Sequence, residues 1–203
     1  MTAKIFSLPP GNQHEIFKVS SNHVTRLLTL RMRPTDDLIA HEQEVYNSLL
    51  DHWNINSESP ILIRANSIEF NHRNQIARTE HFKYKEIDLE STKASFYSIN
   101  TTSSPLPLPD SEQFIVFSEL EYKQIFENRE QSLTTRWKQF HKKYPQPNGF
   151  ISLSRTGFNS AENKALVYYQ SSCGSLCGNG FMAYLKRGPF GWKLVWLEHL
   201  WVS

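Results

Sequence analysis

Apolar residues recur at helical spacing in several stretches of the chain. Across residues 36–50, Ile39, Val45, Tyr46, Leu49 and Leu50 share one broad side, which predicts an amphipathic helix. Asp36 and Asp37 suit its first turn by capping and by the helix dipole. Trp53 is placed to close its end over the core. Residues 90–100 predict a second helix with Ala94, Phe96 and Tyr97 inward. Ser118 stands three positions before Glu121, the spacing of a capping box, so a helix is predicted from Glu119 to about Phe126. The strongest helical pattern covers 132–144, where Leu133, Trp137, Phe140 and Tyr144 fall along one side. Pro145 and Pro147 stop it.

Elsewhere the pattern shortens to that of strands. Residues 61–65 after Pro60 and residues 113–117 read as two short strands. Beyond Gly149 the chain predicts strands at 151–155, 164–170, 181–187 and 192–197, with 200–202 extending or following the last. Gly- and Asn-containing stretches at 157–163, 174–180 and 188–191 separate them, the rhythm of an antiparallel meander. In 164–170, Ala165, Val167 and Tyr169 share a face. In 192–197 both faces carry apolar residues, so one face meets the helices and the other is at least partly covered. The Arg187–Gly191 stretch suits a hairpin turn. The predicted fold class is α+β, with an antiparallel C-terminal β-meander packed against helices.

Three stretches carry less pattern. Residues 1–20 read as a lead-in, and 23–33 as a short helix or strand ended by Pro34. The charged stretch 69–90 reads as loop and helix surface. In 101–110, Pro105, Pro107 and Pro109 favour an extended backbone, read as a stiff connection rather than a proline-rich recognition ligand.

A chain of 203 residues with 39% apolar and 13% aromatic content can bury a real core. One α+β domain over 1–203 is expected, with a possible division into a helical or mixed part, 1–104, and a helix plus antiparallel sheet, 111–203. The net charge of +2 argues against a dedicated nucleic-acid binder. No run of 18 apolar residues occurs, so no transmembrane segment is expected, and Met1–Leu8 lacks the apolar stretch of a signal peptide.

Cys173 and Cys177 are the two cysteines, with three residues between them in a glycine-rich turn. A structural disulfide pinning the crossover between two strands is the leading reading. The spacing is not the C-x-x-C redox motif. A zinc site would need two more ligands, and nothing in the pattern brings His141 or His199 near. A cysteine nucleophile would need a base such as His199 and an orienting Asn159 or Asn179. Arg155 could present its planar fork to a carboxylate ligand, against the plainer reading of an internal salt bridge. Asn159 is read first as a turn organiser.

The segments Leu153–Asn159 (LSRTGFN), Ala165–Tyr168 (ALVY), Cys173–Gly180 (CGSLCGNG), Trp192-Lys193 and Trp201–Ser203 (WVS) resemble a family of bacterial proteins. That family shares an LSRxGFN / CGxLCGxG / C-terminal WxS pattern and has no catalytic assignment to transfer. The likeness covers about residues 133–203, and Thr156 stands where valine is commoner. Many members look exported or lipid-anchored, so the resemblance implies a fold unit and an extracytoplasmic origin.

No phosphate-loop, dinucleotide, H-E-x-x-H, G-x-S-x-G or calcium-loop pattern occurs, and no cofactor is implied. His72, His81 and His141 lack metal spacing. Asn100-Thr101-Thr102 fits a glycosylation acceptor by pattern alone. The stripe Trp137, Phe140, Tyr144 is a core face before it is a ligand groove. The leading expectation is a non-enzymatic structural or interaction domain with a protein or small-molecule partner. The competing one is a hydrolase or thiol-dependent enzyme built on the Cys, His and Asn inventory.

Overall fold

In the computed structural model, which describes residues 36–54, 60–70 and 89–203, eleven elements follow one another. They are α1 (Asp36–Asn54), β1 (Ile61–Arg64), α2 (Leu89–Ile99), β2 (Phe114–Phe117), α3 (Glu119–Phe126), α4 (Leu133–Lys143), β3 (Phe150–Leu153), β4 (Gly157–Phe158), β5 (Lys164–Gly174), β6 (Cys177–Gly188) and β7 (Gly191–Val202). The expectations for 1–20 and 23–33, and that for 69–90 over residues 71–88, lie outside the described residues.

All seven strands belong to one sheet of order β2-β1-β3-β5-β6-β7, with β4 also pairing β5. The predicted meander is the β3-β5-β6-β7 run, which is antiparallel throughout. The other half is parallel, β1 pairing with both β2 and β3. Parallel neighbours need long crossovers, and here α2 lies between β1 and β2 in the chain, α3 and α4 between β2 and β3. The strands on either side of the proline segment are therefore direct neighbours.

The sheet is covered on both faces, which explains apolar residues on both sides of its strands. On one face Val45, Tyr46, Leu49 and Leu50 of α1 pack on Ile63, Leu153, Ala165, Val167 and Ala183. On the other, α2 packs Leu89 and Phe96 against Leu166, Tyr168, Met182 and Tyr184. Beside it, α3 and α4 pack Ile125, Trp137 and Phe140 against Leu62, Phe117 and Phe150. Ala94 is exposed rather than inward, because Leu89, Thr92 and Phe96 form the buried side of α2. Leu133, first in its predicted stripe, is 43% exposed.

The capping box of α3 forms as expected: Ser118 Oγ accepts from Glu121 N, and the Glu121 carboxylate accepts from Ser118 N. Such a cap contributes about 1 kcal/mol. The proline segment runs along the extension of β1. Leu106 N donates to the Ala65 carbonyl at 2.9 Å, Asn66 pairs with Pro105, and Leu106 and Leu108 reach the core.

Candidate functional site

The LSRTGFN segment leaves β3 and passes under the first half of α1. Glu42 lies on the buried side of that helix, one turn before Tyr46. Its carboxylate takes Arg155 Nε at 2.9 and 3.0 Å and Arg155 Nη2 at 2.7 Å. It also accepts the Thr156 backbone N–H at 2.7 Å, and the Tyr46 hydroxyl sits 2.7 Å away. The Glu42 and Arg155 side chains are 3% and 11% exposed. Burial alone would lower the guanidinium's proton affinity, but the Glu42 bonds more than offset it, so Arg155 stays above its ordinary value. Burial, and then the Glu42 charge, push the Tyr46 hydroxyl well above its own.

The neighbouring motif residues are committed in the same way. Asn100 Nδ2 donates to the Phe96 and Arg155 carbonyls, and its Oδ1 accepts Arg155 N at 2.8 Å. Asn100 is fully buried, so the glycosylation pattern does not present an acceptor. Ser154 Oγ takes Tyr168 N and donates to the Arg155 carbonyl. A Cβ on Gly157 would run into the Phe96 backbone, so glycine there lets α2 lie against β4. Asn159 Oδ1 accepts from Asn163 N at 3.0 Å and Lys164 N at 2.9 Å and so organises the turn into β5.

The other candidates gather at the far end of β5 and β6. Cys173 and Cys177 are paired as a disulfide, with Cα atoms 5.1 Å apart. It closes the β5–β6 turn, whose tip carries Leu176 at 85% exposure. On β6, Asn179 Oδ1 lies 3.3 Å from His199 Nε2 of β7. The His199 ring stands 4.9 Å from Phe181, Phe181 stacks on Tyr169 at 5.1 Å, and Tyr169 meets Trp53 at 4.7 Å. An aromatic row thus leads from α1 to the exposed imidazole. An open cleft of ≈ 210 Å³, lined by Pro60, Ile61, Gly149, Ser171 and Cys173 among others, adjoins the disulfide.

The structure therefore brings Cys173, Cys177, Asn179 and His199 to one end of the sheet and leaves Arg155 and Asn159 apart from them. His141 is elsewhere, on α4 against Trp137 and Phe140. Trp137 and Phe140 are core residues around Phe117, Phe126 and Phe150. No group of three His, Cys, Asp or Glu side chains is arranged to hold a metal ion among the described residues. No helix among them is long and apolar enough to cross a membrane. His72 and His81 lie outside the described residues.

Glu42 and Asn100 are the partners that sequence reasoning missed. Glu42 could have been found: it falls three residues after Ile39 and four before Tyr46, a charge on the apolar side of the helix. Comparison with protein-family models, curated proteins and solved structures returned no match to this chain.

Proposed function

We propose that this chain is a non-enzymatic interaction domain that binds a protein partner through the disulfide end of β5, β6 and β7. One observation carries the reading: Leu176, 85% exposed, stands at the tip of a turn that the Cys173–Cys177 bond holds closed. A pre-ordered turn loses little conformational freedom on binding, and a projecting apolar side chain gains free energy when a partner surface removes it from water. Val202, 70% exposed, lies at the same end, since it pairs with Asn179. The adjoining cleft of ≈ 210 Å³ is smaller than the roughly 300–1,000 Å³ of ordinary small-molecule pockets, which favours a protein surface as the ligand.

The polar motif residues support the same reading. Arg155, Ser154 and Asn159 spend their hydrogen bonds on Glu42, Tyr168 and the 159–164 turn. With both sulfurs bonded to each other, neither Cys173 nor Cys177 is a nucleophile. A disulfide persists in an oxidising compartment, in keeping with the export that the family resemblance implies.

The test is a photo-crosslinking residue in place of Leu176 in cells that make the full chain. A discrete adduct is expected, lost on Val202→Asp and absent when the same residue replaces the exposed Glu130. No adduct, or one indifferent to Val202→Asp, overturns the assignment. Turnover of an ester, amide or thioester that disappears with His199→Ala would establish the hydrolase or thiol-enzyme alternative.

A further inference from the structure

The outer edge of β7 is distinct from the Leu176 tip. β7 ends the sheet, and among the described residues no strand pairs with its outer side. It runs for 12 residues, eight of them Trp, Leu or Val, with Lys193, Glu198 and His199 as its ionisable members. It contains no proline. An edge this long and apolar presents a row of backbone N–H and C=O groups ready for another strand.

The pattern along β7 is self-complementary. Against β6, Val195 and Leu200 are extra residues at register shifts, so alternation breaks between Leu194 and Trp196. Leu194 and Leu197 face the α1 side with Leu185 and Ala183. Lys193, Trp196 and Glu198 face the α2 side with Lys186, Tyr184 and Met182. In an antiparallel pair of strands, opposed residues must share a face. Two copies of β7 meet this condition when Leu194 of one lies opposite Leu197 of the other. Lys193 then faces Glu198, Trp192 faces His199 and Val195 faces Trp196, twice over by symmetry. A slip of one residue sets Leu194 against Trp196 or Glu198 of the second copy, on the wrong face. In the register that sets Leu194 opposite Leu197, both charges meet an opposite charge. Among the described residues neither Lys193 nor Glu198 has an ion-pair partner within its own chain.

We propose that β7 is a homodimer interface, in which two copies of this chain pair antiparallel along their β7 edges with Lys193 of one opposite Glu198 of the other.

Sedimentation equilibrium of the full chain tests it. The wild type should be a dimer at micromolar concentration. Lys193→Glu and Glu198→Lys each place two like-charged pairs across the junction and should raise the dimer dissociation constant roughly tenfold or more. The double variant K193E/E198K restores both pairs and should dimerise like the wild type. Mixing the two single variants should give a heterodimer tighter than either homodimer, which also shows that both have folded. A monomeric wild type overturns the proposal. A dimer indifferent to the single reversals, or a mixture that forms no heterodimer, overturns it equally. Loss of the Leu176 adduct leaves these measurements unaffected, so the two assignments fail separately.

Discussion

The indole of Trp201 occupies the space that a side chain on Gly180 would need: a Cβ there would overlap the indole Nε1. That nitrogen donates to the Tyr168 hydroxyl at 2.8 Å, which holds the ring in place over β6. Three separate stretches of the chain therefore meet at one contact, through Gly180, Trp201 and Tyr168. Gly180→Ala should displace the indole and cost about 2 kcal/mol, in the range of overpacking. The expected readout is a lower urea midpoint with an unchanged slope. A variant as stable as the wild type would show that the ring moves aside freely.

The Glu42–Arg155 pair makes a second prediction. Removing one member of a buried ion pair strands the other, at about 3–5 kcal/mol. Arg155→Met should fall in that range, because Glu42 is 3% exposed and keeps only the Thr156 and Tyr46 bonds. Adding Glu42→Gln removes the stranded charge while retaining an acceptor for Thr156 N, so the double variant should recover about 1–2 kcal/mol. A double-mutant cycle by chemical denaturation measures the recovery. Strict additivity of the two changes would contradict the clasp.

Acid should weaken the α3–α4 corner. Lys143 Nζ lies 2.6 Å from Glu121 Oε1. That bond first, and the Ser118 hydroxyl second, hold the Glu121 carboxyl down to about 2. In an unfolded chain it titrates near its ordinary value of about 4.3. A depressed folded value means the contribution is complete above that ordinary value and is lost as pH falls toward 2. Lys143 is 47% exposed, so water screens the pair and the contribution is about 1 kcal/mol. Glu121→Gln keeps a capping amide without the charge. It should be about 1 kcal/mol less stable at pH 7 and match the wild type near pH 2, measured by urea melts at both. An equal deficit at both pH values would place the effect in the cap instead.

Local chemistry announced much of this architecture, and distance along the chain concealed the rest. The α3 helix was legible to the residue because its cap lies within three positions. The meander was legible because its turns are short and its strands adjoin in sequence. The parallel half was not, since pairing β1 with β3 joins Ile63 to Ile151, far apart in the chain. The same limit applies to the site. The turn role of Asn159 is fixed by neighbours four and five residues away. The partners of Arg155 lie 55 and 113 residues upstream, where no local pattern points. Ala94 misled for a different reason. A small residue is indifferent to exposure, whereas Thr92, polar by composition, is buried where α2 meets the sheet.

The disulfide should matter locally far more than globally. Cys173 and Cys177 are four positions apart, so the bond removes only a small loop's entropy from the unfolded chain, about 2 kcal/mol at most. The β5–β6 ladder continues beside it through Ser172–Gly178 and Ser171–Asn179, whose pairing does not need the bond. The double change Cys173→Ser/Cys177→Ser should therefore lower unfolding stability by about 1–2 kcal/mol and leave the sheet folded. Hydrogen exchange should quicken at residues 172–178 and stay unchanged at Val167 and Ala183, which lie at the sheet's centre. Freed from its closure, the turn that carries Leu176 loses its fixed shape before any partner arrives. The crosslinked adduct at that position should then weaken even though the protein remains folded. Exchange that quickens across the whole sheet would make the bond a global brace rather than a clasp on the turn.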